Sequence, residues 1–574
     1  MSFVIVLFPE PRDVFIDDRP QGSSKAASGR PRALYVNAGS HVFRLGGRGD
    51  VQPSDADARR AGAADPQPLS RRVQEVLRRV ARLAAAVALV AIAGCAGPVN
   101  PRLTSYGDGG YRYANVRGDG QEEELFVILA FSGGGTRAAA FSYGLLEALQ
   151  AVTYPRAAGP ARSLLEDVDV ISSVSGGSFT AAHYALFGTA GFKQFEEDFL
   201  YRNIQGKLIL KALAPWNWFR LMRSDYSRID MAAELYDEDI FHGATFATLL
   251  EHARGRPYVL LNATDMTVGA RFEFTQDQFD LLCSDLSRVP VARGVAASSA
   301  FPILLSPMTL HNYPGDPADP RNPCDKFRPP TWLAQALKSA DQPRRLALAG
   351  NLISYRDDVK TRPYIHLLDG GLADNIGLRG PYVALSGQDS AWSVFGKIND
   401  RKIQRVLVIA ANAKTGRDPG WDARESPPGL AGVMGLVTTG PMGNYSFETV
   451  QLMAEHFRQL NAELESFKAC EELAKEQCPA FQMPFEPAAE VEFYAVELAF
   501  DKVTDDLPLQ RCLEGLATSF SLPRPQVTLL RQVARRLLLT SPEFLAAMRM
   551  IAPSWQPEPA PIDPALVREA CPPS

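Results

Sequence analysis

Residues 125–149 read LFVILAFSGGGTRAAAFSYGLLEAL. Seven apolar residues with no charge form a buried strand, which runs into three glycines and then a helix with Phe141, Leu145, Leu146 and Leu149 on one side. The order repeats at once. Residues 167–174, DVDVISSV, make a second strand that enters Ser175-Gly176-Gly177 and a second helix from about Gly177. Strand, glycine turn and helix, twice over, predict an α/β fold with a parallel-rich central sheet flanked by helices. Further strands are expected at "PYVLLNATD", "YIHLLDGG", "RVLVIAANA" and "VEFYAVELAFD".

Between Ala411 and Val491 the apolar residues Val450, Met453, Phe457, Leu460, Leu464 and Phe467 alternate steps of three and four, the stripe of one long core-facing helix. The catalytic body is read as residues 124–505, with insertions near 192–241 and 314–345, and residues 506–574 as a helical C-terminal extension. Inserted segments of this kind shape substrate sites.

The amino-terminal end has another character. Residues 1–70 are rich in Gly, Pro, Arg, Asp and Ser, with apolar scraps such as "FVIVLF" and "ALYVNAG" that lack a sustained period, and read as a disordered or non-native upstream extension. Residues 71–94 carry basic residues, an uncharged apolar run from Leu83 to Ala93 and small residues before Cys95, the pattern of a secretory signal peptide. Ile92-Ala93-Gly94-Cys95 resembles a bacterial lipobox, which makes Cys95 the expected lipidated first residue of the mature chain. Ala96 then favours the periplasmic face of the outer membrane. Residues 95–123 read as a polar tether.

Composition excludes several classes. The chain of 574 residues is 46% hydrophobic and 22% charged, as globular proteins are. Residues 1–94 carry fourteen Lys and Arg against nine Asp and Glu, so a chain of net charge −5 has a main body at −10. An acidic body without a zinc pair or a helix-turn-helix pattern is not a nucleic-acid binder.

Candidate chemistry sits on three turns. Ser175, with Gly177 two positions on, has the setting of a serine nucleophile on a tight strand-to-helix elbow; read alone, the turn could equally be a phosphate or helix-cap turn. Gly133-Gly134-Gly135-Thr136-Arg137 leaves backbone N–H groups open at a helix start, which suits an oxyanion, and lacks the G-K-[ST] ending of a nucleotide loop. Asp369, at the end of a strand and before Gly370 and Gly371, can serve Ser175 as general base. His366 lies three residues earlier and should face away from it, and Asp374 reads as a cap. No metal motif is present and no cofactor is expected.

"FSGGGTRAAAFSYGLLEAL", "VSGGSF", "VAASSAFPILLSP" (Val295–Pro307) and "LLDGGLADN" together resemble the patatin-like phospholipase family. That resemblance implies lipid acyl hydrolysis by a Ser/Asp dyad without histidine: Ser175 as nucleophile, Asp369 as base, and Gly134, Gly135 and Gly176 as oxyanion donors. Gly133, Arg137, Gly177, Gly370 and Gly371 then support them. Two positions depart from the family pattern: Ser132 where Asp often precedes the glycines, and Ser173 where the elbow has its first Gly.

The substrate so implied is a phospholipid or lysophospholipid, with the membrane as partner through Cys95. The alternatives are a noncatalytic lipid-binding lipoprotein and a thioesterase or peptidase. Export would also place six cysteines in an oxidising compartment, where fifteen pairings are possible. The expected set is Cys470 with Cys478, Cys283 with Cys324, and Cys512 with Cys571.

Overall fold

The computed structural model describes residues 100–116, 124–155, 160–386, 403–477 and 491–572 with short breaks, and five short strands before residue 47. Contacts divide the chain at Cys95 into two units. In the first, Ser2–Ile5 pairs antiparallel with Ala33–Val36, and Asp13–Ile16 lies between Arg19–Ser23 and Phe43–Gly46. Two of these strands fall on the apolar scraps "FVIVLF" and "ALYVNAG". Residues 71–94, expected to be a signal peptide, and Cys95 lie outside the described residues.

The second unit is built on an eight-stranded sheet. Its strands are β1 (Leu125–Phe131), β2 (Val168–Val174), β3 (Tyr258–Asp265), β4 (Arg271–Glu273), β5 (Met308–His311), β6 (Tyr364–Asp369), β7 (Arg405–Asn412) and β8 (Glu492–Ala499). The order is β5-β6-β3-β2-β1-β7-β8, with β4 pairing β3 off that path. From β3 through β8 neighbours are parallel, while β4, β5 and β6 add antiparallel pairs at the other side.

The residue patterns follow this division. β1 and β2 are buried almost end to end, as central parallel strands covered on both faces must be. β6 alternates, with Tyr364 and His366 exposed and Ile365, Leu367 and Asp369 buried. Between Val127 and Ile128 the β1–β2 register shifts, and the Asp169 carboxylate accepts from the Val127 amide at 2.8 Å, which accounts for a carboxylate inside a core strand.

From β1 the chain moves across the sheet through β2 to β3, then returns to place β7 on the other flank of β1. The order reverses there, and in open α/β sheets the carboxyl ends of strands at such a reversal are where sites form. Both glycine turns emerge at that end: β1 leads into α1 (Gly135–Ala151), and β2 into α2 (Gly176–Phe187).

The insertion near 192–241 is helical, with α3 (Ile204–Leu213), α4 (Pro215–Leu221) and α5 (Arg228–Tyr236). α6 (Val291–Ser298) precedes β5. The long helix is α7 (Leu430–Gln477), whose Met453, Phe457 and Leu464 are buried as the stripe requires. Most of 314–345 lies outside the described residues. Among the described residues no helix is long and apolar enough to cross a membrane.

Two segments pack more closely than their composition suggests. Residues 100–116, inside the stretch read as a tether, lie on the body. Asn100 is buried and donates to Ser284 Oγ at 2.9 Å and to the His311 carbonyl at 3.0 Å, while Tyr111 stacks on Tyr258 and Tyr113 meets the same ring edge-on. The C-terminal extension is equally integral. Its helix α8 (Arg524–Thr540) lies against α1 so closely that a Cβ on Gly144 would stand 2.6 Å from the Arg531 Cα. Arg531 binds Glu147 at 2.7 Å and Glu196 at 2.8 Å.

Of the expected disulfides, Cys283–Cys324 and Cys512–Cys571 are present, with Cα–Cα distances of 5.8 and 5.9 Å. Cys470 is exposed on α7, and Cys478 lies outside the described residues.

Candidate active site

Ser175 stands between β2 and α2 with φ 50° and ψ −119°, one of three non-glycine residues among those described with positive φ. A side chain in this region is strained, and the strain is held from below. The Ser175 amide donates to Ser298 Oγ at 2.9 Å, and Ser298 Oγ meets Ser178 Oγ at 2.9 Å. Ser178 donates to Ser173 Oγ, and Ser173 to the Leu260 carbonyl at 3.0 Å. Ser173 thus fits the elbow's first position because its hydroxyl has a buried acceptor on β3. On the trailing side, a Cβ on Gly177 would stand 2.6 Å from Phe131 Cβ.

The two glycine turns meet. A Cβ on Gly176 would collide with the Gly135 carbonyl oxygen, so only glycine lets the first residues of α1 and α2 come together. Gly134 (φ 140°) and Gly135 (φ 60°) stand at the cap and first position of α1, and Gly176 at the first position of α2. Amides there have no acceptor within their own helix, and both helix dipoles present their positive ends. Gly133 differs: its amide donates to the Asn375 carbonyl at 2.9 Å, so it holds the turn and is not free for a ligand.

Asp369 closes the site from β6. It is fully buried, its amide donates to the Ala300 carbonyl at 3.0 Å, and one carboxylate oxygen accepts from the Gly371 amide at 2.8 Å. The Ser175 hydroxyl is its other hydrogen-bond partner. Burial pushes the Asp369 carboxyl up to about 6 from 3.8, outweighing the lowering by those two hydrogen bonds. Gly370 abuts the Asn262 carbonyl on β3 and donates to the Ser298 carbonyl at 3.1 Å. Ser298 therefore binds both halves of the site, through its hydroxyl to Ser175 and through its carbonyl to Gly370.

The competing groups stand elsewhere. His366 points to the exposed face of the sheet, where Nδ1 meets Thr309 Oγ1 of β5 at 3.0 Å. Asp374, buried, accepts from the amides of Gly377 at 3.2 Å and Arg379 at 2.8 Å, as a cap does. Ser132, in the place of the family's Asp, accepts from the Ala413 amide at 2.9 Å and ties β1 to the end of β7.

Arg137 is buried behind the glycine turn. It donates to the carbonyls of Ala413 at 3.0 Å and Leu516 at 2.6 Å, and burial lowers its guanidinium to about 10. The next support was not readable beforehand. The Ser519 carbonyl accepts from the Thr136 amide at 2.8 Å and lies directly against Gly135, so the C-terminal extension forms one wall of the glycine turn. Ser298 lay within the quoted block Val295–Pro307, but which of its serines faces the elbow is a matter of tertiary structure. Asn375 closes the quoted run LLDGGLADN without any mark of the contact it makes, and Ser519 carries no local signal.

Residues 129–382 match the family model for patatin-like phospholipase. Among solved structures, human GIVD cytosolic phospholipase A2 in complex with methyl gamma-linolenyl fluorophosphonate is similar at 13% identity and TM-score 0.34, over 76% of this chain and 61% of that one. A second structure of human GIVD cytosolic phospholipase A2 aligns at 16% identity and TM-score 0.28, over 52% and 48%. VipD from Legionella pneumophila aligns at 10% identity and TM-score 0.21, over 76% and 70%. The chain thus spans about half to three fifths of the length of the two phospholipase chains. No curated protein matches. Residues 129–382, which hold the serine elbow, the glycine turn and the buried aspartate, thus match the patatin-like phospholipase family.

Proposed function

We propose that this chain is a membrane-anchored serine acyl hydrolase that cleaves ester bonds of phospholipids or lysophospholipids with a Ser175/Asp369 dyad. The observation that carries the reading is the convergence on Ser175: a strained turn, a buried carboxylate as hydrogen-bond partner, and two helix starts in contact through Gly135 and Gly176. In the reaction Ser175 Oγ bonds to the ester carbonyl carbon as Asp369 takes its proton. The carbonyl oxygen becomes an oxyanion held by the amides of Gly134, Gly135 and Gly176.

Breaking the ester C–O bond releases the alcohol, which takes the proton from Asp369. Water then attacks the acyl-serine, giving its proton to Asp369; the bond to Ser175 Oγ breaks, Ser175 takes that proton from Asp369 and the carboxylic acid leaves. Arg137, a buried cation bound to carbonyls, stiffens the glycine turn and adds positive potential behind it. Labelling by a fluorophosphonate probe, with turnover of a phospholipid, a thioester and a peptide in parallel, tests the reading. A chain that labels at Ser175 but turns over only the thioester or peptide belongs to another substrate class, and one that neither labels nor hydrolyses is a binding protein.

Asp369 must be ionised to act. With its carboxyl raised to about 6, kcat/KM should rise through pH 6 and level off above it, where an unperturbed carboxylate would give a plateau from about pH 5. A pH–rate profile on a soluble ester checks this. Stability moves the other way: the folded state holds the proton more tightly than the unfolded chain, so Asp369 stabilises least above pH 6. Asp369→Asn should therefore melt higher than wild type at pH 8.

The anchoring part of the proposal rests on the lipobox-like Ile92–Cys95 and is supported by the two disulfides, which belong to an oxidising compartment. The site proposed is the periplasmic face of the outer membrane. Intact-mass measurement of the native amino terminus should find Cys95 acylated as the first residue. An unmodified peptide spanning Gly94 to Ala96 as the main species would rule it out.

A further inference from the structure

The helical insertion carries an apolar surface that the proposed reaction does not use. From α3 into α4 every third residue is a large exposed hydrophobe: Leu210 (70% exposed), Leu213 (62%), Trp216 (72%), Phe219 (78%) and Met222 (83%). A run of this size on one inserted element marks an interaction surface.

The cations around it have partners within the protein. Lys207 pairs with Asp239 at 2.6 Å, Lys211 with Glu238 at 3.1 Å and Arg223 with Asp225 at 2.6 Å. Arg220 binds Glu234 and lies 4.1 Å over the Tyr226 ring. The patch therefore presents no net positive field for anionic head groups.

Its backbone is prepared for a medium without water. The last carbonyls of a helix ordinarily need a solvent donor, yet here Asn217 Nδ2 donates to the Lys211 carbonyl at 2.7 Å and Trp218 Nε1 to the Ala212 carbonyl at 3.2 Å. The Trp218 indole N–H is thereby satisfied inside the protein. The insertion is also rooted beside the site. Gln205 at the start of α3 exchanges hydrogen bonds with the Phe520 backbone, next to the Ser519 that walls the glycine turn.

We infer that α3 and α4 insert into the interface of a zwitterionic lipid bilayer through Leu210, Leu213, Trp216, Phe219 and Met222, by apolar burial and not by charge. The commitment to lipid rests on the proposed lipid acyl hydrolase reading, together with the neutralised rim, the internally capped helix end and the continuity with the glycine turn.

The test uses the full chain with Cys95→Ser, so that no acyl chain contributes, and with Ser175→Ala, so that the lipid is not consumed. It is mixed with vesicles of phosphatidylcholine alone or with added phosphatidylserine. The chain should co-sediment with phosphatidylcholine vesicles, unaffected by phosphatidylserine or by raising salt about tenfold, since screening acts on exposed charge and not on apolar burial. Brominated phosphatidylcholine should quench its tryptophan fluorescence.

Adding Trp216→Ala, Phe219→Ala and Met222→Ala should lower partitioning on the order of a hundredfold. In the Ser175 background the same triple variant should keep its melting temperature and its turnover of a soluble short-chain ester. Binding that requires phosphatidylserine and fades with salt overturns the inference, as does absence of binding to either vesicle. So does a triple variant that turns a dimer into a monomer in sedimentation velocity without changing vesicle binding, because the patch is then an interface between copies. Failure of the hydrolase reading shows separately, as lack of soluble-ester turnover in a chain that still binds vesicles.

Discussion

Ser175→Ala and Asp369→Asn should each lower ester hydrolysis by roughly 10,000-fold, and the double variant should lose little more, because nucleophile and base act as one unit. The serine loses the attacking oxygen. The asparagine still accepts from the Gly371 amide but cannot take a proton, so it separates fold from chemistry. His366→Ala should stay within about threefold of wild type, since its ring meets Thr309 of β5 on the exposed face of the sheet. Steady-state kinetics on a soluble ester, with melting temperatures for all variants, decides the matter. A histidine variant as inactive as the serine variant would replace the dyad with a triad.

Of the strands that carry the site, β1 was legible as an uninterrupted apolar run, the pattern of a strand covered on both faces, and β2 and β6 because each runs into a turn with paired glycines. The same holds for the elbow and the glycine turn, whose glycines are needed where α1 and α2 touch. Local reading ended where contacts are long-range. Ser298 lies 123 residues from the Ser175 amide that it accepts from, in a block of small residues with no periodic mark. Residues 100–116 look like linker by composition, but Asn100 and the two tyrosines find buried partners on strands far along the chain. Cysteine spacing left fifteen pairings open, and the two described bridges join residues 41 and 59 positions apart, which spacing alone does not select. Neighbouring tryptophans such as Trp216 and Trp218 fit core and surface equally by residue type, and only the structure shows Trp216 and Phe219 exposed.

Cys571→Ser should weaken both the fold and the catalytic step, and the coupling follows from where the bridge lies. Cys512 sits in the helix Leu507–Glu514, and four residues later the Leu516 carbonyl holds Arg137, followed by Ser519 against Thr136 and Gly135. The bridge closes a loop of 59 residues, for which chain entropy gives about 4 kcal/mol, so the melting temperature should fall clearly. Once the helix is released, the wall behind the glycine turn loosens, and misplaced oxyanion donors lower kcat more than they raise KM. An expected loss of about tenfold in kcat is consistent with displaced, not deleted, donors.

Cys283→Ser is the control. Its bridge to Cys324 closes 41 residues and should contribute similar stability, but it touches neither glycine turn, so kcat measured well below the melting temperature should hold. Equal kcat for both variants would show that the C-terminal wall is structural only. Free thiols at Cys512 and Cys571 in nonreducing peptide maps of the exported protein would remove the bridge from the account.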